Sequence, residues 1–247
     1  MHELPIAEFH RHYGKEFISI ADHSVALFYT SATDEYRAAR RGAVLIDRSF
    51  LGLARLDGKD AGGLLHRLTT NEIRHLQTGQ GVVNIFTTAK GRILDVVEML
   101  RRDHDYLLIT SPGRAATVLQ WIDKYTFIEN VHGEALNATH ALFSIFGKIP
   151  GDFAGLALDD LLPQHFRNAQ IADEEVFVHR TNGIAPDGFN IIVKAASAAA
   201  VWEFLRRHAQ PIGYSAYNTL RVHAGIPVAG AEITEQLNSV YDFENAG

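Results

Sequence analysis

The sequence contains no cysteine. That absence removes disulfides, thiolate zinc sites, iron–sulfur ligation by this chain and any cysteine nucleophile, and it leaves the redox compartment unreadable. A basic excess is lacking too: 23 Lys+Arg stand against 29 Asp+Glu, giving a net charge of −6 and a pI near 6.1. Phosphate backbones and anionic membranes are bound through surplus positive charge, so neither a nucleic-acid nor a membrane partner is expected. No stretch approaches the roughly 20 apolar residues that cross a bilayer. The start, Met1-His2-Glu3-Leu4-Pro5, has no basic region followed by an apolar run. A soluble, cytoplasmic protein is therefore expected. The dinucleotide fingerprint G-x-G-x-x-G, the phosphate loop G-x-x-x-x-G-K-[ST], the nucleophile elbow G-x-S-x-G and the zinc motif H-E-x-x-H are also missing.

What remains is an ordinary globular composition. The 247 residues are 47% apolar, with 20 Gly and 7 Pro scattered along the chain. That is enough for one large domain or two smaller ones with a shared core. Thr33, Asp34 and Glu35 supply an N-cap and first-turn acids for a helix through 36–41. Residues 44–56 read as extended, broken near 49–52. After Gly58, Asp60 can cap a helix whose Ala61, Leu64, Leu65 and Leu68 form one apolar stripe, with Asn71 as its C-terminal cap. Strands at 82–87, 93–101 and 106–110 are joined by short turns, one of them Thr88-Ala89-Lys90-Gly91, which predicts an antiparallel meander. Ser111-Pro112 reads as a helix start, with Ala115, Val118, Ile122 and Tyr125 buried behind it. Further strands are expected at 139–146, 176–180 and 189–194, and further helices at 197–208 and 215–224. Short-looped strands covered by single helices indicate an α+β fold.

Among 13 histidines, His10 and His12 are two apart and would share one face of a strand, but no third metal ligand lies near them. Asp95 stands out more. It lies inside the apolar strand after Lys90-Gly91-Arg92, where a carboxylate is disfavoured and costly if buried without partners. Either it faces solvent, or it serves a site by holding or deprotonating an amine while Lys90 and Arg92 meet ligand anions.

Five segments taken in order extend the reading: 36–47 (EYRAARRGAVLID together with Glu35), 58–71 (GKDAGGLLHRLTTN), 79–95 (GQGVVNIFTTAKGRILD), 187–193 (DGFNIIV) and 213–230 (GYSAYNTLRVHAGIPVAG). Together they resemble the folate-binding aminomethyltransferase family, the glycine cleavage system T-protein and its folate-binding iron–sulfur-cluster-maintenance relatives. The resemblance implies two interwoven antiparallel-sheet-plus-helix halves around a central ligand channel, here roughly 1–137 and 138–247, intimately packed. It implies tetrahydrofolate as cofactor, Asp95 as the catalytic residue orienting the one-carbon donor, and Asn190, Arg221, Arg92, Lys90 and Asn84 as folate-binding positions. A lipoyl carrier protein or iron–sulfur proteins are the partners it suggests.

The departures are specific. Where the family carries Arg-Thr-Gly-Tyr-Thr-Gly-Glu before a Gly-Phe-Glu strand, this chain has Gly183 for the Tyr, and Pro186 and Asn190 for the two acids. Asn offers a pterin edge one acceptor and one donor where a carboxylate offers two acceptors. Ala216-Tyr217-Asn218 stands in place of an Ala-Arg-Asp stretch, with the loss of a cation, and His223 stands where the glycine-cleavage enzymes have Glu. The family's C-terminal barrel, and the Lys-Gly-Cys-x-x-Gly-Gln motif of the maintenance branch, do not fit within 236–247, whether by a natural short form or by a cut. The functions implied are one-carbon or aminomethyl transfer to tetrahydrofolate, a non-catalytic folate-binding regulator of iron–sulfur protein maintenance, or a folate-linked demethylase paralogue.

Overall fold

The computed structural model describes residues 3–181 and 188–234; the expectations placed on Gly183, Pro186, Asp187 and 236–247 lie outside them. The chain begins with helix α1 (Ala7–Tyr13), strands β1 (Lys15–Ile20) and β2 (His23–Phe28), helix α2 (Ala32–Arg41) and strand β3 (Ala43–Asp47). There follow β4 (Leu51–Asp57), α3 (Ala61–Leu68), β5 (Gly81–Thr87), β6 (Ile93–Arg101), β7 (Asp105–Pro112), α4 (Ala115–Lys124) and β8 (His132–Ala135). Then come β9 (His140–Gly147), β10 (Phe166–Ile171), β11 (Glu174–Thr181), β12 (Gly188–Lys194), α5 (Ala198–Leu205), β13 (Gln210–Pro211) and α6 (Tyr214–His223). The fold is α+β, as expected.

The compact units are not the two consecutive halves of the expectation. Met1–Phe50 joins Ala138–Ile226, and Leu51–Asn137 joins the residues from Pro227. The physical reason is strand pairing: β3 inserts between β9, to which it is antiparallel, and β13, to which it is parallel. The first unit thus holds a six-stranded sheet of order β10-β11-β12-β9-β3-β13 and the separate β1-β2 hairpin. Its core is built on Trp202, Phe143, Leu45, Ile145, Val178 and Ile191, with Trp202 packed edge-on against Phe143 and Phe9. Glu35 is buried without cost in unpaired charge because its carboxylate accepts the amides of Tyr29, Thr30 and Gly213.

The second unit holds the sheet β5-β6-β7-β4-β8, in which the expected β5-β6-β7 meander is antiparallel throughout. Helices α3 and α4 lay Ala61, Leu64, Leu65, Val118 and Ile122 on a core with Phe86, Val97 and Leu108. No helix among the described residues is long and apolar enough to cross a membrane.

Several local expectations need correction. Helix α2 starts earlier than 36, because Ser31 rather than Thr33 caps it, accepting the Asp34 amide at 3.1 Å. Asp60 makes no cap bond to α3; its carboxylate accepts the Asn130 amide instead. The C-cap of that helix is Thr69, and Asn71 donates to the Val83 carbonyl. Ser111 and Pro112 end strand β7, and α4 begins only at Ala115. His10 lies on a helix, not a strand, and is buried against Tyr29 and Asp47, while His12 is exposed.

Candidate functional site

In the second unit, two β-bulges lie beside Asp95. In the β5–β6 ladder Phe86 faces Asp95 and Thr87 faces Ile93, so Leu94 is the extra residue. In the β4–β7 ladder Leu51 faces Pro112 and Gly52 faces Thr110, so Ser111 is the extra residue. A bulge takes one residue out of the ladder and leaves its backbone groups for other partners. Both sets of freed groups are used here. The Ser111 amide donates to Asp95 Oδ2 at 3.2 Å, and the Leu94 carbonyl accepts from Arg114 Nη2 at 2.8 Å. This also explains why Ser111 is not a helix cap. Its amide serves a carboxylate, Gly113 turns the chain at φ 67°, and Arg114 re-enters with its amide on the Ser111 carbonyl.

Asp95 itself is fully buried, so the solvent-facing alternative is excluded. Its Oδ1 accepts the Val96 amide at 2.9 Å, and Arg114 Nε lies 4.0 Å from that same oxygen. Burial pushes its carboxyl up from 3.8 to about 6, against the opposing pull of the Ser111 hydrogen bonds and the Arg114 charge. The result is a carboxylate that changes charge near neutrality and has acceptor capacity beyond its two amide donors. Sequence reasoning missed Arg114, whose role depends on a bulge that no local pattern announces.

The other predicted positions of this unit fall into two groups. Lys90 is exposed and Arg92 half-buried on the β5–β6 hairpin, closed by Gly91 and Arg92 amides bonded to Thr88 and by Gly91 at φ 70°. Asn84 is buried, and its amide is engaged by the chain itself. Its Oδ1 accepts the Asn71 and Ile85 amides and the Thr70 hydroxyl, and its Nδ2 donates to the Asn71 carbonyl. It holds the 69–71 segment against β5.

In the first unit Asn190 sits on β12, fully buried, facing Ser144 of β9 in register. Its Oδ1 accepts the Ser144 hydroxyl at 2.7 Å and Arg48 Nη1 at 3.4 Å. Arg221, on α6, donates from Nε to Asn218 and from Nη1 to the Ile226 carbonyl. Arg48 and Ser144 were not singled out from the sequence; they come from the edge of β3 and from β9, about 100 residues apart, and only the β3–β9 ladder brings them together. No group of three or more His, Asp or Glu able to hold a metal occurs among the described residues.

Comparison with known proteins gives this geometry its family. The GCVT N-terminal domain matches residues 6–241. An aminomethyltransferase of Bacillus pumilus is 26% identical over 245 residues, 95% of this chain and 67% of the relative. One of Thermus thermophilus is 26% identical over 244 residues, 96% of this chain and 70% of the relative. The crystal structure of glycine cleavage system aminomethyltransferase T from Bartonella henselae superposes with a TM-score of 0.85 at 25% identity, covering 95% of this chain. The chain spans 65% of that protein's length. A heterotetrameric sarcosine oxidase from Corynebacterium sp. U-96, at 14% identity and a TM-score of 0.50, shares the fold alone. With the match running through both units, this chain belongs to the GCVT N-terminal domain family, that of the aminomethyltransferases.

Proposed function

We propose that this chain binds tetrahydrofolate and serves aminomethyl or other one-carbon transfer to it, with Asp95 as the catalytic carboxylate. The observation that carries the reading is Asp95 itself: buried, held by two backbone amides at paired bulges, and raised to about 6. Such a carboxylate can accept a hydrogen bond from an amine, hold its proton and stabilise positive charge that develops on it. Tetrahydrofolate would supply the amines that receive the one-carbon unit. Arg92 and Lys90 on the adjoining hairpin are the cations proposed for folate carboxylates, Arg221 is a further proposed folate-binding position, and a lipoyl carrier protein is the proposed donor of the aminomethyl group. The amide of Asn84 is committed to its own loop, so its part is to position rather than to touch folate.

A second reading, a folate-binding regulator without catalysis that acts on iron–sulfur proteins, is favoured by Asn190. Its single acceptor oxygen is already used by Ser144 and Arg48, which weakens its grip on an amidine edge. Calorimetric titration with tetrahydrofolate and its 5-formyl form separates the cases. Wild type is expected to bind, and Asp95→Ala to bind about tenfold more weakly and to lose transfer. A wild type that binds neither compound overturns both readings. Equal binding by the variant, with no transfer by either protein, selects the regulator.

A further inference from the structure

Arg48 is a cation with too few partners. It follows β3, and its half-buried guanidinium is held over two rings, with Cζ 5.1 Å from the Tyr217 centroid and 5.8 Å from that of Phe146. Those rings are themselves buried and lie 6.2 Å apart at 29°. Nη1 is shared between two neutral acceptors at long range, Ser144 Oγ at 3.3 Å and Asn190 Oδ1 at 3.4 Å. Nε is buried with no hydrogen-bond partner, Nη2 makes no hydrogen bond, and no carboxylate pairs with the group among the described residues.

A guanidinium cannot shed its proton to escape burial. Contact with ring faces and weak bonds to neutral oxygens offset only part of the lost hydration. Charged groups removed from water are regularly paired, and a planar five-donor fork pairs best with a planar oxyanion, which it meets through two parallel bonds. Asn190 and Ser144 cannot play that part. Both are neutral, and the Ser144 hydroxyl is itself donated to Asn190.

We propose that Arg48 is an anion-recognition residue of this chain, receiving the carboxylate of a small ligand on the side of the first unit formed by β9, β12 and α6. This goes beyond the folate reading: a folate whose pterin edge meets Asn190, 3.4 Å from Arg48, carries its glutamate carboxylates at the far end of the molecule, so the carboxylate at Arg48 belongs to a second, smaller ligand. It also makes Arg48 the specificity-determining residue beside Asn190. The carboxylate of an amino-acid one-carbon donor offers that chemistry.

The test follows the Arg48 Nε–H resonance in nitrogen–proton correlation spectra of the full chain, assigned by its loss in Arg48→Lys. Benzoate and benzamide have the same shape and differ in charge. Benzoate is expected to shift the resonance saturably and to bind about tenfold or more tightly than benzamide. Arg48→Gln should remove that preference. Glycine is expected to displace benzoate, whereas displacement by N-(4-aminobenzoyl)-L-glutamate and not by glycine overturns the assignment to a second, smaller ligand. Equal shifts from benzoate and benzamide, or none from benzoate in the wild type, overturn the proposal whether or not the variants fold. Because these probes contain no pterin, a failure of tetrahydrofolate to bind, read by calorimetry, is a separate outcome.

Discussion

The ligand role proposed for Asp95 and its effect on stability respond to pH in opposite senses. In the unfolded chain its carboxyl ionises near its ordinary value; in the fold it does so only at about 6. Below about 4 both states are protonated and burial carries no electrostatic penalty. As pH rises toward 6 the unfolded chain gains by ionising while the fold does not, so this group subtracts stability progressively and fully above about 6. The shift from 3.8 to about 6 corresponds to about 3 kcal/mol at most. Asp95→Asn, which cannot ionise, should therefore melt above wild type at pH 7 to 8, with the difference shrinking to nothing or reversing near pH 4. Melting curves across that series check it; a difference independent of pH would refute the buried-charge account. The amine binding proposed for Asp95 would use the ionised carboxylate and so should strengthen through pH 6 over the range in which the fold weakens. The awkward placement of this Asp in an apolar strand was legible in the sequence, because a carboxylate there must be explained. The commitment of Asn84 to its own loop was not, since its four bonds run to residues 70, 71 and 85 and depend on how that loop returns to β5.

The elements were largely legible and their irregularities were not. Apolar runs bounded by turn residues locate β5, β6, β9 and β12, and period-3.6 stripes α3 and α5, to within a few residues. A bulge, however, is a mismatch between two strands and leaves no mark on either alone. Ser111-Pro112 shows the consequence: the pair has the chemistry of a helix start, yet a tertiary bond from the Ser111 amide to Asp95 holds it in β7. Two glycines test whether the bulge or merely the sheet matters. A Cβ at Gly52 would stand 2.0 Å from Thr110 Oγ1 and 2.7 Å from the Ala115 amide, directly beside the β7 bulge. A Cβ at Gly91 would meet nothing within 4 Å, though its φ of 70° disfavours any side chain. Gly91→Ala should cost about 1 kcal/mol in urea unfolding and, with open space around its Cβ, weaken tetrahydrofolate binding less than Gly52→Ala does. Gly52→Ala should cost about 3 kcal/mol or more, and the folded fraction should bind more weakly because the Ser111 amide is displaced. Equal losses of affinity in the two variants would argue that the bulge does not position Asp95.

At the scale of the whole molecule, order along the chain and order in space diverge, which is why a cut into consecutive halves was the natural but wrong reading of the sequence. Periodicity reports where a strand is; it does not report that β3, from the first 50 residues, pairs with β9 and β13. The N-terminal helix extends the same logic. No sequence signal marked α1, whose seven residues contain two histidines and one buried anchor. That anchor is His10, with Nδ1 2.7 Å from the Tyr29 hydroxyl and Nε2 donating to Asp47 Oδ2 at 2.9 Å, while Asp47 Oδ1 accepts the Ser49 amide. Burial and the neighbouring Asp47 and Glu35 charges hold the Tyr29 hydroxyl well above its ordinary ionisation, so it remains a donor. A helix this short has little stability of its own and is fixed by this buried network and by Phe9 against Trp202. His10→Ala should therefore leave a carboxylate and a hydroxyl buried without that partner, costing about 2–4 kcal/mol. His12→Ala, on the exposed side, should stay within about 0.5 kcal/mol of wild type. Hydrogen exchange distinguishes the mechanism from general destabilisation. In the His10 variant the α1 amides should exchange through local opening, ahead of those in β9 and β12, whereas uniform acceleration across the first unit would mean that α1 is an integral part of its core rather than a helix pinned to it.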